Sequence, residues 1–294
     1  MPSPMSHAAP VTSARSVLAA PSVPRRLVGL AGAFRRPLEL KGTLSPADLD
    51  GRAVAIVGAR AATAGGLAYA AELAERLARR GVLVVSGGAL GIDGAAHGGA
   101  LAGGGRTVAV LGTGVDVIYP ERHAGLFARI EAMGALLSPY ASDALPRPGT
   151  FPSRNPFIAA LADAVVVVEA SLRSGSLGTA RAATDLARPL WSRAGTPGCD
   201  RLLLEGRARP APAPAALVAA LLGDEVPACL DTLSPTAQAV LAALTGGARR
   251  ADEVAPRTGL SLSDVLAILM ELELDRRVLR LASGGWLPLP GGPA

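Results

Sequence analysis

The sequence predicts an α/β fold built on a doubly wound, mostly parallel sheet, followed by a small second domain. Six short apolar runs alternate with segments of helical periodicity, and this alternation is typical of such a sheet. The composition changes after Gly206, which indicates that a separate unit begins there. The six runs span residues 54–57, 83–85, 107–111, 135–137, 165–168 and 190–191.

The first part of the chain is expected to be disordered and the next part to form the sheet domain. Residues 1–37 are rich in Pro, Ala and Ser and show no periodicity, so they bury too little surface to offset the entropy of ordering. The core is predicted over residues 38–207. Its first helix, over residues 66–80, has an apolar side with Leu73 and Leu77, and Gly81 ends it. The four valines of 165–168 suit a central strand that is buried on both faces.

Residues 208–230 are interpreted as a Pro/Ala-rich linker, residues 231–288 as a second domain and residues 289–294 as a tail. Ser234 and Pro235 predict the cap and first residue of a helix, and two further helices follow over 252–258 and 261–274. A hairpin around Gly284 completes a winged-helix arrangement. The third helix has no cation before Arg276, so we expect this domain to contact protein, or to help assembly, rather than to read duplex DNA.

Composition favours a protein of the cytoplasm. The chain has 294 residues and a net charge of +5, and Lys41 is its only lysine, a bias that a GC-rich genome also explains. No stretch approaches the length of a membrane span, and the N-terminus lacks a sustained apolar segment, so neither a membrane partner nor a secretory signal is expected. Cys199 and Cys229 match neither a disulfide framework nor a zinc site.

Glycine-lined turns after the first two apolar runs predict sites for phosphate. Ser86, Gly87, Gly88 and Gly91 lie between an apolar run and a helical segment. The first N–H groups of a helix lack internal partners and lie at the positive end of its dipole, so they attract anions. Gly58 ends the first run in the same way, and Arg60 follows it. The turns therefore indicate that the chain handles nucleotides or nucleic acid.

Two further segments add candidate phosphate ligands. Arg154 with Asn155 can hold one phosphate and orient a base. Arg173 precedes a turn that combines two hydroxyl groups with a permissive glycine before a helix, which predicts an anion-binding nest. That turn consists of Ser174, Gly175 and Ser176.

Three other side chains near these turns are a tyrosine with two possible roles and a histidine and an aspartate with expected structural roles. Tyr119 either stacks a base or packs against its neighbours. His97 follows Asp93 by one helical turn, so we expect it to hydrogen-bond that carboxylate rather than to act as a general base. Asp93 itself is expected to cap or brace the turn.

Several of these motifs, in this order along the chain, resemble the DprA or Smf family of DNA-processing proteins. The resemblance covers the core and extends to the winged helix. It implies an extended Rossmann-type core that binds single-stranded DNA without sequence preference, forms a homodimer and helps to load a RecA-type recombinase during natural transformation. It implies no catalytic reaction, cofactor or metal. The motifs are residues 57–60, 86–93, 119–120, 151–155, 168–170 and 173–177.

The chain departs from the family pattern at three places. Family members usually carry arginine where this chain has Leu90, and often a second arginine at the position of Pro156. Two phosphate contacts are therefore expected to be absent, which would flatten the salt dependence of binding. The loop over residues 194–200 is also shorter than the family's glycine-rich loop.

Other functional classes remain open. One is a nucleoside monophosphate hydrolase of the lysine-decarboxylase-like type, although Arg181 stands near the place of that family's catalytic carboxylate. Another is a regulator whose core senses a nucleotide and whose winged helix binds promoter DNA. A dinucleotide-dependent oxidoreductase is less well supported, since Gly58, Gly65 and Gly66 do not have the spacing of a pyrophosphate turn.

Overall fold

The computed structural model describes residues 13–19, 22–31, 37–224, 233–275 and 277–289. Within these ranges one large sheet forms the core of the molecule. Its strands are β1 (Ala14–Leu18), β2 (Leu38–Gly42), β3 (Ala53–Val57), β4 (Leu83–Ser86), β5 (Thr107–Val110), β6 (Ala135–Ser138), β7 (Ala164–Val167), β8 (Leu190–Ser192) and β9 (Arg209–Pro210). The six predicted runs are confirmed as β3 to β8.

The strands lie in the spatial order β1-β2-β6-β5-β4-β3-β7-β8-β9. All neighbours among β3 to β9 are parallel, whereas β2 is antiparallel to both β1 and β6. The chain leaves β3 towards β4 on one side, and β7 lies on the other side of β3. The direction of strand addition therefore reverses at β3 and β7, and such a switch point is where open α/β sheets bind ligands.

Helices cover both faces of the sheet. They are α1 (Val28–Ala31), α2 (Ala64–Arg79), α3 (Ile92–Ala102), α4 (Ala124–Met133), α5 (Thr150–Leu161), α6 (Ser176–Asp185), α7 (Pro197–Leu204) and α8 (Pro214–Leu222). Because side chains alternate along a strand, Val54 and Ile56 pack with α2, α3 and α8, and Ala55 and Val57 pack with α5 and α6 on the other face. The predicted doubly wound α/β fold is confirmed.

The prediction that residues 1–37 are disordered is wrong for the part that the structure describes. Strand β1 pairs along its whole length with β2, and Leu18 is buried in the core. A 3-10 turn over Arg25–Leu27 leads into α1, and Leu27 is also buried. In β2 buried and partly exposed residues alternate, as expected for a strand with one face in the core. Residues 14–18 form a strand because they pair with β2 at the edge of the sheet, and the local sequence does not indicate that pairing. The remaining residues of 1–37 lie outside the described ranges.

The prediction of an extended linker over residues 208–230 is also wrong for its described part. Residues 209–210 form β9 beside β8, and α8 begins at Pro214 and buries Leu217 and Val218 against α2. Proline favours the first turn of a helix because that position needs no N–H donor. The apolar residues after Pro214 then form a packed helix. Residues 225–230 and the tail beyond residue 289 lie outside the described ranges.

The second domain is a winged helix, as predicted. It contains α9 (Pro235–Thr245), α10 (Ala251–Thr258), α11 (Leu262–Leu274) and a hairpin of β10 (Val278–Arg280) and β11 (Trp286–Pro288). The Ser234 side chain caps α9 by accepting a hydrogen bond from the Ala237 N–H at 3.2 Å. Among the described helices, none is both long enough and apolar enough to cross a lipid bilayer.

The hairpin of the winged helix packs on α7 of the core. Leu203 forms an apolar cluster with Leu281 and Leu287. The buried Asp200 carboxylate accepts a hydrogen bond from the Ala282 N–H at 2.7 Å and from the Gly195 N–H at 2.8 Å. One carboxylate therefore joins the turn before α7 to the hairpin.

Candidate functional site

A cavity of about 520 Å³ opens at the carboxyl ends of β3 and β7, at the switch point of the sheet. Four segments line it: the turn after β3, the turn after β4, the start of α5 and the turn before α6. The structure brings more than half of the predicted site residues together here. Those that line this cavity are Gly58, Arg60, Arg154, Asn155, Ser174, Gly175 and Ser176.

The start of α2, after β3, is already occupied by a carboxylate of the protein. The buried Glu169 follows β7 and accepts hydrogen bonds from the Thr63 N–H at 2.9 Å and from the Thr63 hydroxyl. A Cβ atom added to Gly66 would lie 2.2 Å from Glu169 Oε1, so the carboxylate fills the space at the helix start. A dinucleotide pyrophosphate has no room at this turn.

The turn after β4 is also occupied from within. Asp93 accepts hydrogen bonds from the Gly87 N–H at 3.2 Å and from the Ala89 N–H at 3.4 Å. Burial raises the pKa of Asp93, and the nearby Arg154 guanidinium and the Ala89 amide act in the opposite sense. Asp93 braces the turn, as expected, and a phosphate would have to displace its carboxylate to reach the Gly87 amide.

Ser86, Gly88 and Gly91 have structural places in this turn and do not line the large cavity. The Ser86 hydroxyl donates to the Ile56 carbonyl at 2.6 Å. Gly91 has φ +79°, and a Cβ atom there would lie 2.2 Å from the Ala59 carbonyl oxygen. Gly88 has φ +70° and packs against Phe127. The sequence pattern predicted that these glycines contact a phosphate. In the structure they allow the chain to turn and two backbone segments to approach closely.

The turn before α6 differs from the other two because no carboxylate occupies it, and the Ser176 N–H donates only a long hydrogen bond, at 3.4 Å, to the Ser174 hydroxyl. The Ser174 and Ser176 hydroxyls lie 2.8 Å apart, and the Asn155 side-chain amide donates to the Gly175 carbonyl at 3.1 Å. Asn155 therefore braces the turn from α5. Among the described helix starts after β3, β4 and β7, only this one lacks an internal carboxylate. It is the best-placed anion site of the three.

Arg60, Phe151 and Tyr119 form a cluster on the rim of the cavity, here called the rim cluster. The Arg60 guanidinium carbon lies 5.6 Å from the centre of the Phe151 ring, and the Phe151 and Tyr119 rings are 5.4 Å apart at an angle of 45°. Arg60 is exposed, and Tyr119 is 42% exposed. Sequence reasoning gave Phe151 no role of its own, although it begins the Phe-Pro-Ser-Arg-Asn motif.

A second, smaller cavity of about 60 Å³ adjoins the first across the rim cluster. Arg60, Phe151 and Arg154 line both cavities, and Gly87 and Tyr119 line the smaller one. Leu90, at a position where the family resemblance led us to expect arginine, lies in the same wall. Pro156 follows Asn155 inside α5.

Arg154 lies under the floor of both cavities rather than on their rim. It is 5% exposed, its Nη1 group donates to the Val110 carbonyl and its Nε group donates to the Phe151 carbonyl at 3.3 Å. Burial lowers the pKa of Arg154 to about 10, which leaves it charged at neutral pH. Its hydrogen bonds are internal, so it supplies positive charge from below.

Arg173 lies outside the lining of the large cavity, directly before Ser174. Its side chain is exposed, and it forms no ion pair with any residue in the described ranges. An exposed cation beside the uncapped α6 start is well placed to meet an anion that enters from solvent.

The expected contact between His97 and Asp93 is wrong. His97 Nδ1 lies 2.7 Å from the Thr107 hydroxyl, which in turn donates to the Val84 carbonyl at 2.7 Å. Because that hydroxyl donates to a carbonyl, it accepts from Nδ1–H, and His97 is neutral with its proton on Nδ1. Burial lowers the pKa of His97 to about 3, so its role is structural.

The chain matches two family models. The model for DNA recombination-mediator protein A matches residues 24–221, and the model for the DprA winged helix domain matches residues 206–284. The putative DNA processing protein DprA of Mycobacterium tuberculosis is 44% identical over 267 residues, which cover 85% of this chain and 68% of that protein. Protein Smf of Escherichia coli is 36% identical over 270 residues, covering 81% and 66%.

Two solved structures resemble the fold. DNA processing protein A from Streptococcus pneumoniae has a TM-score of 0.63 at 34% identity and covers 70% of this chain and 73% of its own. The Helicobacter pylori protein, whose structure concerns its single-stranded DNA binding mode, has a TM-score of 0.63 at 31% identity and covers 72% and 97%. With its core and winged helix both matched, the chain belongs to the DNA recombination-mediator protein A family, whose members are called DprA or Smf.

Proposed function

We propose that this protein binds single-stranded DNA without sequence preference, along the edge of the sheet between the β3 and β7 turns. A single strand offers phosphates together with unstacked bases, and proteins bind it with a cationic groove and aromatic side chains. Both features meet at the rim cluster, which separates the two adjoining cavities. That arrangement is the observation that carries the proposal.

Each part of the site has a role in this proposal. Arg60 and Arg173 hold phosphates at the surface, and the turn before α6 supplies the Ser174 and Ser176 hydroxyls. Arg154 adds charge from below, while Asn155 keeps the α6 turn in place. Phe151 and Tyr119 offer ring faces to a base, a contact that tolerates every base because each has a π-face.

The relatives support the choice of ligand. The Helicobacter pylori protein of the same fold is described by its binding of single-stranded DNA. From family membership we further propose that the chain acts as a homodimer and passes its DNA to a RecA-type recombinase. Light scattering of the purified chain tests the dimer. Co-precipitation of a purified recombinase with the chain, with and without oligo-dT, tests the partner.

A nucleotide hydrolase is less well supported by the geometry. Cleavage of a glycosidic bond needs a carboxylate that can act on the substrate. Asp93 is the one acidic residue among the described residues that line the large cavity. Its carboxylate already accepts hydrogen bonds from two backbone amides. Arg181 lies on the exposed side of α6. Neither residue is available as a general base.

The test is an anisotropy titration of the whole chain with labelled oligo-dT at two salt concentrations, beside a duplex of equal length. We expect tighter binding to oligo-dT, with an affinity that falls as salt rises by a slope of about 0.7 per phosphate contact. Duplex binding of equal strength would overturn the proposal. Release of free base from a nucleoside monophosphate would favour the hydrolase instead.

A further inference from the structure

Helix α11 of the winged helix has two apolar faces. One face, with Val265, Leu269 and Leu272, is buried in the core of the domain. The other face is exposed and carries four large apolar side chains at intervals of four residues, which places them in one row along the helix. This row, here called the α11 stripe, consists of Leu262 (49% exposed), Leu266 (42%), Met270 (59%) and Leu274 (83%).

The stripe is not needed to complete the domain. The buried face of α11 already packs with α9, α10 and the hairpin in one apolar cluster that contains Val240, Val254 and Trp286. Single exposed apolar residues are ordinary on protein surfaces, but a continuous row marks a site of interaction. Four such side chains on consecutive turns of one helix therefore indicate a surface that another molecule covers.

The charged residues of the stripe's own helix, from residue 262 to residue 275, are all acidic. Because an α-helix turns by about 100° per residue, Glu271 and Glu273 lie on opposite sides of Met270 and Leu274. Asp275 follows at the end of the helix, where the dipole also favours cations. Among the described residues, none is an ion-pair partner of these three carboxylates. The sequence has no Lys or Arg from residue 262 to residue 275.

We propose that the α11 stripe docks an amphipathic helix of a partner protein, with apolar side chains on one face and Lys or Arg beside them. Helices bind such surfaces through apolar anchors at intervals of three and four residues. Cations at the edges of the partner helix would meet Glu271 and Glu273, and this complementarity of charge is the reason for choosing a basic partner.

The same charges argue against other occupants. Duplex DNA, which the third helix of a winged helix often contacts, would place phosphates against Glu271 and Glu273. A second copy of this chain, paired through the same stripe, would bring those carboxylates towards their own counterparts. An anionic membrane surface would be repelled for the same reason.

The test uses the full chain and a labelled synthetic helix of Leu and Lys, with Leu at the spacing of one helix face and Lys at its edges. Two peptides serve as comparisons: one with Glu in place of Lys, and one with the same residues in scrambled order. We expect the wild-type chain to bind the Leu/Lys helix best in an anisotropy titration. Met270→Asp should weaken that binding by about tenfold or more, since it places a charge among the apolar anchors.

A matched control is Met133→Asp, which changes a methionine that is 42% exposed at the end of α4. It should leave binding of the Leu/Lys helix unchanged. The double variant Glu271→Lys/Glu273→Lys should reverse the preference towards the Glu peptide. Thermal unfolding of each variant shows that it is folded, which we expect because the replaced side chains are exposed or partly exposed.

Four outcomes would overturn the proposal. Equal binding by the wild type and Met270→Asp would remove the stripe from the site. Equal binding of the scrambled peptide would reduce the effect to charge alone. Loss of a dimer in light scattering of Met270→Asp would identify a second copy as the occupant. Loss of duplex binding by Met270→Asp would identify DNA.

Discussion

Arg154→Ala should destabilise the fold far more than it changes the surface of the site. The Arg154 guanidinium is buried, donates to the carbonyls of Val110 and Phe151, and contacts Gly87 so closely that a Cβ atom there would lie 2.2 Å from its nitrogens. Alanine would leave those carbonyls and the neighbouring Asp93 without a cation, and would leave an empty space beneath the cavity.

The size of the effect follows from these contacts. A hydrogen bond to a charged group contributes roughly 1.5–3 kcal/mol to stability. Removing one of two interacting buried charged side chains costs about 3–5 kcal/mol, because the other charge stays buried without its partner. We expect Arg154→Ala to lower the free energy of unfolding by about 3–5 kcal/mol. For a domain of this size each kcal/mol lowers the melting temperature by roughly 2–4 °C, so the total is roughly 6–20 °C.

Chemical denaturation, combined with an oligo-dT titration at a temperature where the variant is folded, measures both effects. Arg60→Ala is the comparison because Arg60 is exposed on the same cavity. It should change the free energy of unfolding by less than about 0.5 kcal/mol while it weakens binding. If Arg154→Ala kept full stability and lost DNA binding, Arg154 would be a direct phosphate ligand and the reasoning from burial would be refuted.

Three further predictions concern residues outside the rim. Because burial holds the pKa of His97 at about 3, against about 6.5 unfolded, only the unfolded chain gains a proton between those values. The free energy of unfolding should therefore fall as the pH drops below 6.5, by up to about 1.4 kcal/mol per pH unit, and denaturation of His97→Gln should show a smaller fall. Gly91→Ala should cost about 3 kcal/mol or more in the same assay, because φ is +79° and the added Cβ atom would lie 2.2 Å from the Ala59 carbonyl oxygen. Gly98→Ala, with open space around it in α3, should be neutral or stabilising, and equal effects of the two changes would contradict this reasoning. Asp200→Ala should free the hairpin from α7, seen as faster hydrogen exchange of the Ala282 amide, and unchanged exchange would show that the apolar contacts alone hold it.

The regular parts of the fold could be predicted because their signals are local. Runs such as 165–168 are apolar throughout, as a strand buried on both faces must be, and Ser234 with Pro235 specifies a helix start. Strand β1 could not be predicted because its pairing with β2 is a tertiary contact. Helix α8 was missed because the prolines before it suggested an extended chain, whereas Pro214 in fact begins a helix.

The sequence pointed to residues that the fold brings near one cavity, but not to how each is placed there. Glycine turns predicted a site at the carboxyl edge of the sheet, where the cavity lies, yet the helix starts after β3 and β4 hold internal carboxylates. Glu169 and Thr63 are hydrogen-bonded although 106 residues separate them in the sequence, so the residues around Thr63 could not predict this contact. Arg60 and Arg154 look alike in sequence, and only the packing of α5 against β5 separates an exposed cation from a buried one.

The most direct test of the central claim is the salt dependence of oligo-dT binding by the double variant Arg60→Ala/Arg173→Ala. Its control is Arg76→Ala/Arg79→Ala, which removes two exposed arginines at the far end of α2 and so changes the net charge equally. If Arg60 and Arg173 each hold a phosphate, the slope of log affinity against log salt should fall by about 1.4 in the first variant and stay unchanged in the second. An equal loss of slope in both variants, or none in the first, would contradict the account.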